Sequence, residues 1–580
     1  MSRQRKGEAP LLPRIEAIDF APAGTLAGDF VAGSGSARML LAPNGVTRGP
    51  AGTGESAGAD GPDGADGPNG ADGPGGGHQA RQPQSPLPER AFTAASDGAA
   101  AKLALILAGE GELVSTGQQP GLFLGPLYSL YKAITAIRVA EERERRTGRP
   151  TLALFWVAAD DHDWDEVAAC RLLDPDEELI ELRLEPPPGR EERSVGETPL
   201  PASVAEAIAR LRSCSRGPAT GAPAPWFGDL EAAYQPGATF AAAFIRGMAG
   251  ALAGHDIVLL DSSDPFVRRA ASGLYRSVLE APDRVTTAMA DGRTRLEDAG
   301  YTPGLTPPAA GLQIFFDAGA DAGAGGNADA NTDADAGRRH VLAADGGFDL
   351  GDGEAVDRAA LAALLTERPE SFTPAAALRP VLESRLLPVA ATVLGPGEMG
   401  YWAQLPPLFS ALGVPFPVVH PRDNWLLVEA AVDHMLSKLG LVAADVADRG
   451  DELPARWIDG ARPPAVAAAL EGAEAELRSA FERLGDAAAA EIPGLRSAVA
   501  RASHEAGKAM SGLTKTIDVH VAERESIALG QVQRLNTHLR PGGNRQERII
   551  TSAQFLCRYG EGLVEALMAS SRVAGAEGRG

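Results

Sequence analysis

Two stretches of the chain follow one scheme: a short apolar run, a polar turn, then apolar residues at helical spacing. In the first, Leu113-Val114-Ser115 reads as the end of a buried strand, and Gly117-Gln118-Gln119-Pro120-Gly121 as the turn. Leu127, Leu130, Tyr131, Ile134 and Ile137 then recur at steps of three and four, which is one face of a helix. In the second, the apolar run 152–158 is bounded by Pro150 and Asp160. Its length and its flanks predict a buried strand rather than a helix. Asp160-Asp161-His162-Asp163 stand at its C-terminal edge, with Asp165 and Glu166 just beyond. Strand, helix and strand make a βαβ unit, and open α/β sheets bind ligands outside the carboxyl ends of their strands. Both polar turns fall there.

The same patterning extends over the rest of the chain. Residues 12–20 read as an edge strand and 99–110 as a helix leading into the βαβ unit. A polar hairpin runs to about residue 197, followed by a helix at 204–211 and a Gly/Pro-rich loop carrying Trp226 and Phe227. A helix at 239–253 precedes a buried strand at 256–260, which ends on Asp261-Ser262-Ser263-Asp264. Residues 268–299 are helical, 312–316 a strand, and Leu361, Leu364 and Leu365 mark a short helix. Residues 386–425 again give strand, Gly-rich turn, helix and strand. Beyond Trp425 the period changes: Leu470, Ala473, Leu477, Phe481, Leu484 and Ala488 form one seam. After Pro493-Gly494 a second runs from Leu495 through Val499, Ala506, Met510, Leu513 and Ile517 to Val521. These heptad-like seams predict two antiparallel helices. The second, continued to Leu539, would be roughly 65–70 Å long at 1.5 Å per residue. Its excess length leaves seam residues from Met510 to Val521 in need of a partner, and a second copy of the chain is the simplest one. Residues 541–567 close the chain with an amphipathic helix at 555–567.

Composition changes this picture in two places. From 44 to 86 and from 318 to 337 the chain is almost entirely small, polar or acidic, with tandem GADGPD, GADGPN and GADGPG from Gly58. Such stretches hold too few large apolar side chains to offset the entropy of ordering, so both are expected to be disordered inserts. Ten of the acids behind the net charge of −23 lie in or beside them, leaving a moderately acidic folded body. That argues against nucleic acid as a partner, because phosphate binding needs clustered Lys and Arg. The three cysteines show neither paired nor metal-ligand spacing, which fits a reduced, cytoplasmic chain. The N-terminus lacks an apolar signal region, and no apolar run approaches the roughly 20 residues of a membrane helix.

The candidate catalytic residues are Asp160, Asp161, His162 and Asp163. At a strand end, His162 can shuttle a proton, and a carboxylate can orient an amine or hold Mg²⁺. Capping of a helix N-terminus also favours Asp there, but six acidic or imidazole groups exceed what one cap needs. No further His or Asp at fixed spacing completes a metal cage. Gly117, Gln118 and Gln119 form a turn that lets a ligand approach the backbone closely, with two amides able to donate and accept. Gly395, Gly397, Glu398, Tyr401 and Gln404 make a second such turn, and Arg422, suited to a carboxylate or phosphate, stands at a third.

Taken together the motifs resemble the bacillithiol-biosynthesis BshC family, whose members are described as cysteine ligases. The resemblance lies in GQQPGLFLGPLY (117–128), FWVAADDHDWDE (155–166), LRP (378–380), GPGEMGYWAQL (395–405), PVVHPRDNWLLVE (417–429) and RLNTHLRPGGNRQERIIT (534–551). It adds Gly125 and Tyr128 to the candidate binding residues. It implies an α/β fold: a Rossmann-like parallel-sheet core with connecting insertions and a long C-terminal antiparallel coiled-coil arm. On that plan the core spans 1–43 with 87–264, and 381–428; the connecting region is 265–380; the arm is 429–540; and 541–580 returns to the core. The implied reaction adds L-cysteine to glucosaminyl-malate, with the arm joining a homodimer. Making that amide is uphill in water, so the carboxyl needs activation, most simply by ATP (or with ADP left bound). Two other readings stay open on the residues alone: a coiled-coil scaffold that binds a nucleotide or metabolite, and a metal-dependent hydrolase built on the Asp-Asp-His-Asp cluster.

Overall fold

The computed structural model describes residues 12–19, 21–42, 85–189, 193–217, 221–308, 310–317, 338–351 and 355–573. The inserts expected at 44–86 and 318–337 lie outside the described residues, apart from 85 and 86. The core is a six-stranded sheet in the spatial order Val418–Pro421, Val389–Leu394, Glu112–Gln118, Thr151–Val157, Ile257–Asp261, Phe92–Ala94. The first five are parallel; Phe92–Ala94 pairs antiparallel at the edge. Every residue of Thr151–Val157 is buried, which explains its unbroken apolar run: a central parallel strand is covered on both faces.

The strand Glu112–Gln118 extends two residues further than the apolar pattern indicates. Gly117 and Gln118 sit in the ladder opposite Trp156 and Val157 rather than in the turn. Glycine makes this possible, because a Cβ at 117 would lie 2.6 Å from the Trp156 carbonyl oxygen. The turn proper begins at Gln119 and carries two buried residues with left-handed backbones, Phe123 (φ 50°) and Leu124 (φ 70°). Such conformations are costly for side-chain-bearing residues and persist only where the surroundings enforce them. The helix Leu127–Thr147 follows. It is buried on most sides through Ala140, where it crosses the sheet, and ends on left-handed Gly148.

The connecting region builds a second sheet that the sequence showed only as one strand. Its order is Ala355–Val356, Gly347–Asp349, Arg338–Ala344, Gly311–Asp317, Phe372–Pro374, all antiparallel. Trp226 and Phe227 open the helix Trp226–Ala233 and are buried, instead of lying in a loop. The polar hairpin is Ala169–Leu173 paired with Leu179–Arg183. At the N-terminus, Arg14–Ala17 pairs antiparallel with Trp425–Val428.

The arm consists of Pro464–Glu491 and Arg496–Arg524, packed along each other. The second helix does not run unbroken to Leu539. It breaks at Glu525 (ψ 13°) and resumes as Ser526–Leu539, whose Val532, Leu535 and Leu539 are buried against Leu426, Val428 and Val446. The projecting pair is therefore about 42 Å long at 1.5 Å per residue, shorter than the sequence period suggests. Part of the expected surplus seam is covered within the chain. The helix Leu453–Ala461 packs on Arg496–Arg524, Arg462 forks onto Asp518 (2.8 and 3.0 Å), and Val521 is buried. The closing helix is divided at Gly560 (φ 58°) into Ser552–Tyr559 and Glu561–Ala569.

Candidate functional site

In chain order the parallel strands stack 5-4-1-2-3, so the winding reverses between Glu112–Gln118 and Val389–Leu394. A ligand crevice is expected outside the carboxyl ends at that switch point. Two side-chain clusters meet there. The first is built around Lys132, on the helix Leu127–Thr147 and only 2% exposed. Its Nζ donates to Gly117 O (2.7 Å) and Gln118 Oε1 (3.0 Å) and pairs with Glu398 Oε2 (2.6 Å). The same Glu398 oxygen accepts the Gly395 N–H (2.7 Å), capping the start of the helix Pro396–Trp402. The Tyr128 ring stands 5.9 Å from Lys132 Nζ and 5.8 Å from the Arg422 guanidinium. Burial, with Glu166 and Glu398 adding, pushes the Tyr128 hydroxyl up to about 12. Arg422 is itself buried: it donates to the Asp423 carbonyl (3.2 Å) and the Asn424 side chain, and pairs with buried Glu547 at 3.6 Å.

The second cluster lies over the ends of Thr151–Val157 and Ile257–Asp261. Asp160 is 2% exposed; its Oδ1 accepts from Ser262 Oγ (2.6 Å), and the same hydroxyl oxygen accepts the Ala159 and Asp160 N–H groups. Arg338 donates to the Asp160 carbonyl and to Asp161 Oδ1, both at 3.1 Å. Arg379 Nε stands 3.9 Å from Asp160 Oδ1 and has no hydrogen-bond partner among the described residues. Gln119 donates to Asp161 Oδ2 (3.0 Å). Burial would raise the Asp161 carboxyl, but Arg338, Arg379, the His162 N–H and the Gln119 amide outweigh it and hold it below the ordinary value. Glu166 is displaced the other way, by burial and by the charges of Asp163 and Asp161. Behind the clusters, Glu383 is enclosed against Ser115, and burial pushes its carboxyl up to about 8.

The structure thus gathers Gln118, Gln119, Tyr128, Asp160, Asp161, Gly395, Glu398 and Arg422 near the carboxyl ends of the parallel strands. His162 is buried on the same turn, its N–H donating to Asp161 Oδ1 (2.7 Å). Asp163 is exposed and caps the short helix Trp164–Val167 by accepting the Glu166 N–H (3.1 Å). Tyr401 lies between the clusters, within the field of Glu398 and Arg379. Gly397 is an open helix position, and Gly125 (φ 63°) packs on Gly121 in the left-handed turn. Gln404 is turned elsewhere: both ends of its buried amide pair with the Leu305 backbone. Sequence patterning passed over Lys132, Ser262, Arg338, Arg379 and Glu383. Lys132 did leave a signal, the single charge between Leu127 and Ile137, one turn after Tyr128. Arg338 left none. Among the described residues, no three His, Cys, Asp or Glu side chains gather as a metal site, and no helix is long and apolar enough to cross a membrane.

A doubly wound α/β core with its polar crevice at the switch point, continued into a coiled-coil arm, defines a Rossmann-like protein of two joined parts. Comparison with known proteins divides the chain the same way. Residues 89–423 match the family model "Bacillithiol biosynthesis BshC, N-terminal Rossmann-like domain", and 425–575 the model "Bacillithiol biosynthesis BshC, C-terminal coiled-coil domain". Relatives named "Putative cysteine ligase BshC" include one from Salinibacter ruber, 31% identical over 78% of this chain and 80% of its own length. Others come from Symbiobacterium thermophilum (32%, 78% and 80%) and Geobacillus thermodenitrificans (28%, 78% and 81%). The chain belongs to the bacillithiol-biosynthesis BshC family.

Proposed function

We propose that the protein is a carbon–nitrogen ligase that joins the carboxyl of L-cysteine to the amine of glucosaminyl-malate in the switch-point crevice. The observation that carries this reading is the gathering of three carboxylates (Asp160, Asp161, Glu398) and two arginines (Arg338, Arg379) at the strand ends. One substrate must present an amine and the other a carboxylate, and these groups offer both complements. Arg379, whose enclosed Nε has no hydrogen-bond partner among the described residues, receives the cysteine carboxylate with Arg338 beside it. Asp161, held ionised by the arginines, orients the ammonium group, and His162 takes the proton that makes the amine nucleophilic. Gln118, Tyr128, Glu398 and Arg422 line the side where the larger substrate lies.

Amide formation removes one carboxyl oxygen and two of the three ammonium protons. ATP, if bound, would supply the driving force by activating the carboxyl and carrying off that oxygen. Arg338 and Arg379 are the cations that would meet its phosphates. The same reading includes a homodimer joined through the arm, supported by Leu484, Leu513 and Val519, which stay 54%, 51% and 57% exposed. The test is to mix purified protein, cysteine, glucosaminyl-malate and ATP and to weigh the thiol product. The expected mass is that of the two substrates less one water. No product with ATP or any other nucleoside triphosphate would refute the reading.

A further inference from the structure

Lys132 has no place in the chemistry just described, yet its ammonium is buried directly under the crevice. Burying a charge is costly unless each of its protons is paired. Here all three are: to Gly117 O at 2.7 Å, Gln118 Oε1 at 3.0 Å and Glu398 Oε2 at 2.6 Å. An ammonium has three donors and no acceptor, so Lys132 has none left for a phosphate or a substrate carboxylate. Its acceptors come from the two lips of the switch point. Gly117 and Gln118 end the strand Glu112–Gln118, and Glu398 opens the helix that follows Val389–Leu394. Glu398 Oε2 is taken twice, by Lys132 and by the Gly395 N–H. Its Oε1 stands outside that set, on a side chain that is 26% exposed.

We propose that Lys132 is a positioning residue, a clamp that ties Gln118 to Glu398 across the switch point and holds the Glu398 carboxyl group in place, with its second oxygen presented to the amine substrate. The identity of that amine rests on the ligase reading; the clamp does not. Several groups face the pair: Arg422 just past the strand Val418–Pro421, Tyr128 from Lys132's own helix, Glu383 from the helix Leu378–Leu386, and Tyr401 from Glu398's own helix. Glu547 acts on them through Arg422. Burial pulls the Lys132 ammonium below its ordinary value and Arg422 adds to this, while Glu398 opposes both. Without the lysine, Glu398 would face Glu383 with Arg422 as the remaining cation.

The test uses the full chain with Lys132→Met, Lys132→Arg, Glu398→Gln and the Lys132→Met/Glu398→Gln pair. Hydrogen exchange at the Gly395 N–H, which Glu398 Oε2 accepts, requires no turnover. Lys132→Met is expected to speed that exchange by about ten-fold, because the released carboxyl group no longer holds the N–H in place. In the ligation assay, kcat should fall by about 100-fold, as misplaced catalytic groups do, with KM within about three-fold of wild type. Lys132→Arg should restore part of kcat, and the double variant should be no slower than Glu398→Gln alone. An unchanged Gly395 exchange rate would overturn the clamp. So would losses that multiply in the double variant, or a rise in KM at constant kcat. If Lys132→Met does not fold, Lys132→Gln, which keeps a donor, takes its place in the same comparisons. A wild type that makes no thiol would end the ligase reading and leave the hydrogen exchange to decide the clamp.

Discussion

Glu383 gives the sharpest physical prediction. It sits on the helix Leu378–Leu386, 8% exposed, with Ser115 Oγ donating to its carboxyl. Burial pushes its titration from 4.5 up to about 8, opposed by the Ser115 hydrogen bond and reinforced by Glu398. The folded state therefore keeps a proton that the unfolded chain releases. The resulting stability is complete below about pH 4.5, falls as the pH rises, and is gone above about pH 8. A gap of about 3.5 pH units, at about 1.4 kcal/mol each, makes the full effect about 5 kcal/mol. Glu383→Gln keeps an acceptor for Ser115 but cannot ionise. Between pH 6 and pH 9, wild type should thus lose about 2.5–3 kcal/mol relative to Glu383→Gln. Denaturant unfolding of both proteins, followed by tryptophan fluorescence at each pH, measures this. A difference that stays constant with pH, or that grows in favour of wild type at pH 9, would refute a protonated Glu383.

Other changes test other parts of the structure. Gly117→Ala would place a methyl carbon 2.6 Å from Trp156 O, and the forced shift should lower stability by about 1–3 kcal/mol; an unchanged urea midpoint would show the strands are not so close. Asp161→Asn removes the charge partner of Arg338, and His162→Ala removes the proposed base; both should abolish ligation while shifting Tm by only a few degrees. Full activity in either would remove that residue from the site. Leu513→Glu with Val519→Glu alters side chains that are about half exposed in the single chain. Sedimentation should show a folded monomer in place of a dimer, and an unchanged dimer would locate the interface elsewhere.

The βαβ unit was legible because burial leaves a local mark. The run 152–158 is apolar since its strand is covered on both faces, and Leu127 to Ile137 recur at helical steps since one helix lies across the sheet. The turns were legible as places, and Gln118, Gln119, Glu398 and Arg422, with Asp160 and Asp161, do converge. What stayed hidden depends on contacts made far along the chain. Arg338 reaches Asp161 across 177 positions, delivered by an antiparallel sheet whose strands of two to seven residues carry little periodicity of their own. Phe92–Ala94 is too short to show alternation. The break at Glu525 falls inside a continuous apolar period, because the helix bends there to set Val532, Leu535 and Leu539 on the core. Gln404 looked like part of the turn and instead holds Leu305, since glutamine serves a backbone as readily as a ligand.

The left-handed turn at Phe123 and Leu124 has a consequence for how the chain is made. It is held from the far end of the sequence: Thr551 Oγ1 donates to Phe123 O (2.8 Å) and Gly125 O (3.2 Å), and the Ser552 N–H to Gly125 O (2.8 Å). At the usual 5–20 residues per second, a ribosome needs about 20–90 s to travel from one to the other. Through that interval the nascent sheet carries its first turn without the contacts that enforce it. A chain released before residue 551 would contain every strand of the sheet and both helices of the arm, yet would leave this turn free to relax to ordinary backbone angles. The binding lip is thus among the last features to set. Supplying residues 541–573 as a separate peptide to such a shortened chain should complete it.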